Sequence, residues 1–451
     1  MARTPTRLGL ASRPRFALSA PRSCWALVAL LIGCSGRPTS ENIALWKTTE
    51  KGPERLHHAL ADHDVAPKLR AEAAVALVDI GRADEVDTIL AAAPADDRAE
   101  ITKSLEPAYE VAMKSQDASP EKSLEYRDAL FSLRLVAPPD DQKRIDAALL
   151  PELEGELKAG KLRQGRHSLD KMLTAIGADS GAMLVRVLGT PDIPFEQAAD
   201  LLAKVGDETT RDRGAAALIA RAPKIQADPK YKQHPELFFR SVGRLGGPTA
   251  VKYLEAQVSR AKENEDQAIL ATRALAERRD PTVLPFALKI ASDPKADKAV
   301  RDEMFGVVEG IGGLEAEKGL LAIISSDKEE IVRYRAFESV LTARKADGIV
   351  PGLEAFPASA TYKKLDVDDL LVKLIEKLGA PARPALTQAL ASRAPLARMT
   401  AAMALAQVGK AADAPALEKV AGDSSSLKGF PAGDTVGKEA TEAAQAVKKK
   451  S

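Results

Sequence analysis

The chain has 451 residues, with 65 Lys+Arg against 64 Asp+Glu and a formal net charge of +1 at pH 7, a balance that excludes whole-chain attraction to nucleic acid or to an anionic lipid surface. Two cysteines exclude a disulfide framework. Aromatic residues are 4%, and an apolar fraction carried by Ala, Leu and Val suits close-packed helices rather than a β-sandwich, in one repeat array or several domains.

Residues 1 to 23 contain Arg3, Arg7, Arg13, Arg15 and Arg22 and no acid. Nine apolar residues follow, Cys24 to Ile32. At ~1.5 Å per residue they cover about half of a roughly 30 Å hydrocarbon core, so as a helix they do not span a bilayer. They fit the apolar region of a secretory signal behind its basic n-region. That n-region is long, which places the true start codon in question.

Leu31-Ile32-Gly33-Cys34 resembles the lipobox of bacterial lipoproteins. The resemblance implies cleavage between Gly33 and Cys34, a diacylglyceryl group on the Cys34 thiol and acylation of the new amino terminus. Buried methylenes give about 0.8 kcal/mol each, so several acyl chains hold a soluble domain on a membrane. Ser35, rather than an aspartate, implies by analogy with enteric bacteria an outer-membrane lipoprotein facing the periplasm. Loss of residues 1–33 removes five arginines and leaves 60 basic against 64 acidic residues, a net charge of about −4. Residues 34–51 then form a lipidated start and cap, in which Trp46 is expected to staple the first helices.

GPERLHHALADHDVAPKLRAEAAVALVDIG, residues 52 to 81, shows a repeat unit almost whole. Leu56, Ala59 and Leu60 share one helical face, and a polar turn with Asp62 and Asp64 follows. A second helix sets Leu69, Ala73, Leu77 and Ile80 at helical period, and Gly81 ends it. VRDEMFGVVEGIG (300 to 312), VRYRAFESVLTAR (332 to 344) and ARMTAAMALAQVG (397 to 409) echo that helix. In each the arginine (Arg70, Arg301, Arg333, Arg398) stands eleven residues before the ending, as Arg166 does before Gly177. With weaker endings at Gly206, Gly246, Arg279 and Gly379, the steps from 177 onward are 29, 40, 33, 33, 32, 35 and 30. The 96-residue gap from 81 to 177 has room for two degenerate units between 82 and 165.

The Asp-rich turn followed by [LV]-R-x₂-A-x₂-A-L-x₂-[IV]-G resembles the short bacterial HEAT repeats, without ankyrin T-P-L-H or the TPR tryptophan motif. The resemblance implies an all-α, right-handed α-solenoid over residues 52–421, with second helices lining a concave face and the recurrent arginines bonding acids or carbonyls of the adjacent turn. Residues 104–160 read as longer helices broken by Pro120 and Pro138-Pro139. APKIQADPKYKQHP, 222 to 235, is an insertion that explains the 40-residue step. Residues 422–451 read as a turn and a capping helix near 437 to 448, with terminal lysines complementing its dipole.

Motifs for chemistry are sparse. His57, His58, His63, His167 and His234 lack the His-Glu pairs of the HEAT-type di-iron hydroxylases and a metal-ligand spacing, so no metal and no cofactor are expected. Nothing distinguishes the phycobilin lyases, another HEAT-like class. GIGG (310 to 313) and RLGGP (244 to 248) coincide with repeat endings and read as helix caps. The run Lys262 to Gln267 reads as a solvated face. Phe238 and Phe239 are adjacent on a helix, so one is expected in the core and the other as a partner contact. Tyr231, within the basic KYK of the insertion, is expected on a protruding contact loop. These residues point to a membrane-anchored, non-enzymatic scaffold that binds a protein or peptide partner in the bacterial envelope and no nucleic acid. An enzyme or enzyme subunit with a motif-less site in the groove, and a structural lipoprotein that binds cell wall, remain as alternatives.

Overall fold

The computed structural model describes residues 36–115, 117–161, 164–326 and 329–450. Among these residues every regular element is helical, and the chain divides into two compact units, Met1–Leu149 and Leu150–Ser451.

The first unit begins with the Ser40–Trp46 helix, capped by the Thr39 side chain, which accepts the Asn42 N–H at 3.2 Å. Trp46 is buried, and the Arg55 guanidinium lies 5.9 Å from its ring centroid. The repeat unit at 52 to 81 is the helix pair Gly52–Ala61 and Pro67–Asp79. A proline sits in the first turn of each, where its missing N–H has no helical partner to lose. The second helix stops in a Schellman turn. The Arg82 N–H donates to the Leu77 carbonyl at 2.8 Å and the Gly81 N–H to the Val78 carbonyl at 3.0 Å, with Gly81 at φ 79°.

Ala83–Ala92, Ala95–Met113, Pro120–Val136 and Pro139–Lys158 follow. Pro120 and Pro139 open helices, as Pro67 does. The Pro67–Asp79 helix departs from the single stripe expected of it. Leu69 and Ile80 are half-buried, whereas Arg70, Ala71, Ala74, Ala76 and Val78 are buried along with Ala73 and Leu77. Gly52–Ala61, Ala83–Ala92 and Ala95–Met113 all pack on this helix, and alanines keep its surface thin enough for them. A fully buried Leu77 contributes about 1.5–3 kcal/mol here.

The second unit is two rows of stacked helices. In one row Glu236–Leu245 packs on Glu265–Ala276, that on Lys298–Ile311, and that on Glu330–Arg344; further along, Pro395–Val408 packs on Val436–Lys448. In the other, Gly181–Gly189 packs on Glu208–Ala220 and that on Gly247–Val258. Every ending that the sequence marks in this unit closes a helix of the first row. Gly177, Gly246, Arg279, Gly312 and Gly379 take positive φ, and at the ending by Arg344 it is Lys345 that does so. Gly206 and Gly409 differ: both are extended, at φ −76° and −71°. The run Leu169–Gly189 has the length and hydropathy of a membrane-crossing helix, but half of it is buried and Gly177, at φ 72°, divides it.

The recurrent arginines join neighbouring repeats. Buried Arg70 donates from Nε to the Leu60 carbonyl at 2.8 Å and forks onto Asp97, 27 residues on. Arg301 reaches Glu329 at 2.7 Å across 28 residues, and Arg398 reaches Asp423 at 2.7 Å across 25. Each bond crosses from one helix to the start of, or the turn before, its successor in the row. These charge-assisted bonds, forked at Arg70 and single at Arg301 and Arg398, tie each helix to the next in the stack.

Candidate functional site

Gly33 and Cys34 lie outside the described residues. Tyr231 and both phenylalanines, one of which is expected from the sequence as a contact, are interior. Phe238 and Phe239 are each 2% exposed. The Glu236–Leu245 helix is covered by Glu196–Val205, Glu208–Ala220, Gly247–Val258 and Glu265–Ala276, so two adjacent side chains on different faces are both enclosed. Tyr231 is also buried; its ring stacks on Phe195 at 5.0 Å and its hydroxyl donates to Glu196 at 3.1 Å. Burial raises the Tyr231 phenol pKa, with the Glu196 carboxylate adding to the shift. The expected partner contacts at Tyr231, Phe238 and Phe239 are therefore corrected to an aromatic core, which Tyr253 completes 6.1 Å from Phe238. Lys230 and Lys232 of KYK do remain exposed.

Two histidines face acids on neighbouring elements: His57 meets Glu85 at 3.3 Å and His63 meets Asp97 at 2.9 Å. Among the described residues no group of three or more His, Cys, Asp or Glu is arranged to hold a metal ion.

Three of the depressions among the described residues carry the charged side chains of interest. The first, of about 440 Å³, lies in the first unit between Ser40–Trp46, Pro67–Asp79 and Ala95–Met113. Its floor is Ile43, Ala44, Ala71, Val75, Ala76 and Ala108, and Lys47, Lys68, Glu72 and Asp79 stand around it. Short alanine side chains leave the space. Pro107 borders it and, having no N–H, cannot donate to the carbonyl one turn before it. Asp79 fixes one end: its carboxylate accepts from Lys47 at 2.9 Å and from the Tyr126 hydroxyl, and its carbonyl accepts from Lys122 at 2.7 Å. Burial, with the Asp79 hydrogen bond, pushes the Tyr126 phenol strongly upward and keeps it a donor.

The second depression, about 620 Å³, lies between helix ends of the second unit. Arg211 donates to the Gly206 carbonyl at 2.6 Å and Arg278 to the Arg244 carbonyl at 2.9 Å. Burial, and then the charge of Arg211, lowers the Arg278 pKa. Burial raises the Glu255 carboxyl pKa in the same depression. The third, about 140 Å³, is walled by the 222–235 insertion and has Arg221 in its lining. Neither Arg211 nor Arg221 occupies the repeated arginine position, so no periodic signal marks them.

No family model matches the chain, and no curated protein matches it. Among solved structures it is similar to the karyopherin Kap121p, at 13% identity and a TM-score of 0.36, over 94% of this chain and 47% of that one. Kap121p bound to Pho4p gives 13% and 0.35 over 92% and 48%. Kap121p bound to the extreme C-terminus of the protein phosphatase Cdc14p gives 14% and 0.35 over 89% and 42%. The chain spans less than half the length of each. At these TM-scores the likeness carries no argument, and the repeat description rests on the chain's own helices.

Proposed function

We propose that the chain is a repeat scaffold, anchored in the bacterial outer membrane through Cys34 and facing the periplasm, that binds a protein or peptide partner. The observation that supports this reading is the groove of the first unit, an apolar floor of side-chain size ringed by charges of both signs. Such a floor takes an aliphatic side chain of the partner, and its rim orients the partner's polar groups. Five residues separate Cys34 from the helix that forms one wall, a reach of at most about 20 Å, so a partner in the groove is held beside the membrane. The test is a photo-crosslinker placed at Val75 of the full-length protein in cells, with exposed Lys262 as control. A defined envelope protein captured from Val75 and not from Lys262 supports the scaffold. Cell-wall fragments alone, or equal capture from both positions, would sink it.

A further inference from the structure

The insertion that breaks the repeat period is folded and builds a pocket. It forms two short helices, Ala222–Ala227 and Pro229–Gln233, beside the 190–194 loop. Arg221 precedes them and is about nine-tenths buried. Its guanidinium donates to the Leu188 and Ile193 carbonyls, both at 2.8 Å, and forms no bond to a carboxylate. That sets it apart from Arg70, Arg301 and Arg398, each of which has an acid partner. Exposed Lys224 and Lys230 stand at the same pocket, and Lys230 Nζ lies 5.1 Å from the Tyr231 ring centroid. The acids of the lining are Asp192 and Asp228, and Asp228 accepts the Lys230 main-chain N–H at 2.8 Å. Three cations against two carboxylates leave the lining one charge positive. The stacked pair of Phe195 and Tyr231 makes the wall rigid before anything binds.

A buried cation held by carbonyls has lost its hydration without gaining a hydrogen-bonded counter-charge, since Asp192 and Glu196 act on Arg221 only through space. An anion that enters the pocket supplies that charge, and a guanidinium suits a planar carboxylate. We propose that the insertion pocket binds a carboxylate of the partner peptide, either its C-terminal group or an Asp or Glu side chain. The volume, about 140 Å³, accepts such a group and little of the residue carrying it. This site rests on the peptide-partner reading and adds a second anchor to it.

The test is ligand-observed NMR titration of the full chain with three acetylated probes and with inorganic phosphate. N-acetyl-alanyl-alanine offers a terminal carboxylate, N-acetyl-glutamic acid amide a side-chain carboxylate, and N-acetyl-alaninamide none. Either carboxylate probe should bind, the stronger one naming the source, while the amide should not. Lys224→Ala/Lys230→Ala, at two exposed positions, should weaken that binding about tenfold, and Arg221→Met should abolish it. Should Arg221→Met fail to fold, the lysine double variant still decides. Equal binding of acid and amide, binding of phosphate alone, no binding at all, or affinity unchanged in the lysine variant would each overturn the pocket. Because the probes need no partner and no membrane, such a failure leaves the Val75 crosslink standing as a separate result.

Discussion

At the scale of single residues, the charge of Arg70 and its pairing with Asp97 govern one repeat junction. Arg70 is 1% exposed, so its guanidinium depends on Asp97 and the Leu60 carbonyl to replace water. Asp97→Asn leaves that cation buried without a counter-charge and should lower stability by about 3 kcal/mol, read from urea unfolding. The same pair predicts a pH dependence. The Arg70 hydrogen bond holds the Asp97 carboxyl below its ordinary 3.8, and Arg383 does the same for Asp413. A depressed folded pKa means that the unfolded chain binds protons first. The stabilisation is therefore complete above about pH 5 and is lost as pH falls through the folded values. Urea midpoints should drop between pH 5 and pH 2.5, and the drop should be smaller in Asp97→Asn. An equal drop in both proteins would remove the pair from the account.

At the scale of the element, glycine has two separate jobs. Gly81 is at φ 79° with nothing within 4 Å of a Cβ built on it, so Gly81→Ala should cost about 1 kcal/mol through backbone strain alone. Gly243 has no such conformation, yet a Cβ there would lie 2.3 Å from the Ala274 carbonyl oxygen of the next helix in its row. Gly243→Ala should therefore force Glu236–Leu245 away from Glu265–Ala276 and cost roughly 1–3 kcal/mol. Thermal unfolding of the two variants should rank Gly243→Ala as the more damaging. The reverse order would mean that the row yields at this crossing. The period of about 33 residues was legible because each such helix needs an arginine, a line of small apolar residues and an ending at fixed offsets. The second row was less legible: members such as Leu284–Ala291 are short, and their prolines read equally well as turns.

At the scale of the whole molecule, the proposed role depends on where the chain is held. Acylation of Cys34 is the feature that would place the first-unit groove beside a membrane. Cys34→Ala should abolish labelling by a clickable fatty acid and move the protein from the membrane to the soluble fraction. Retention of both label and membrane association would exclude Cys34 as the anchor. Stability in a stacked array is a sum over neighbouring contacts. Each repeat junction therefore matters on its own, and the Asp97 and Gly243 variants should damage separate junctions additively.

By itself the sequence determined the helical class, the repeat period, the helix endings and the arginine position at Arg70, Arg301, Arg333 and Arg398, though not at Arg166, which precedes its helix, because all of these arise from bonds and periodicities local to one unit. It also marked the insertion by its extra length. Only the tertiary structure decided which residues are enclosed. Phe238 and Phe239 are both interior because four helices brought in from other repeats cover their own, a fact absent from any stretch of 15 residues. The insertion likewise read as a protruding loop, yet Tyr231 turns inward onto Phe195, 36 residues earlier in the chain. That fold leaves Arg221 as the buried cation of a pocket. Burial and charge pairing are sums over neighbours distant in sequence, which is why local pattern was silent on both.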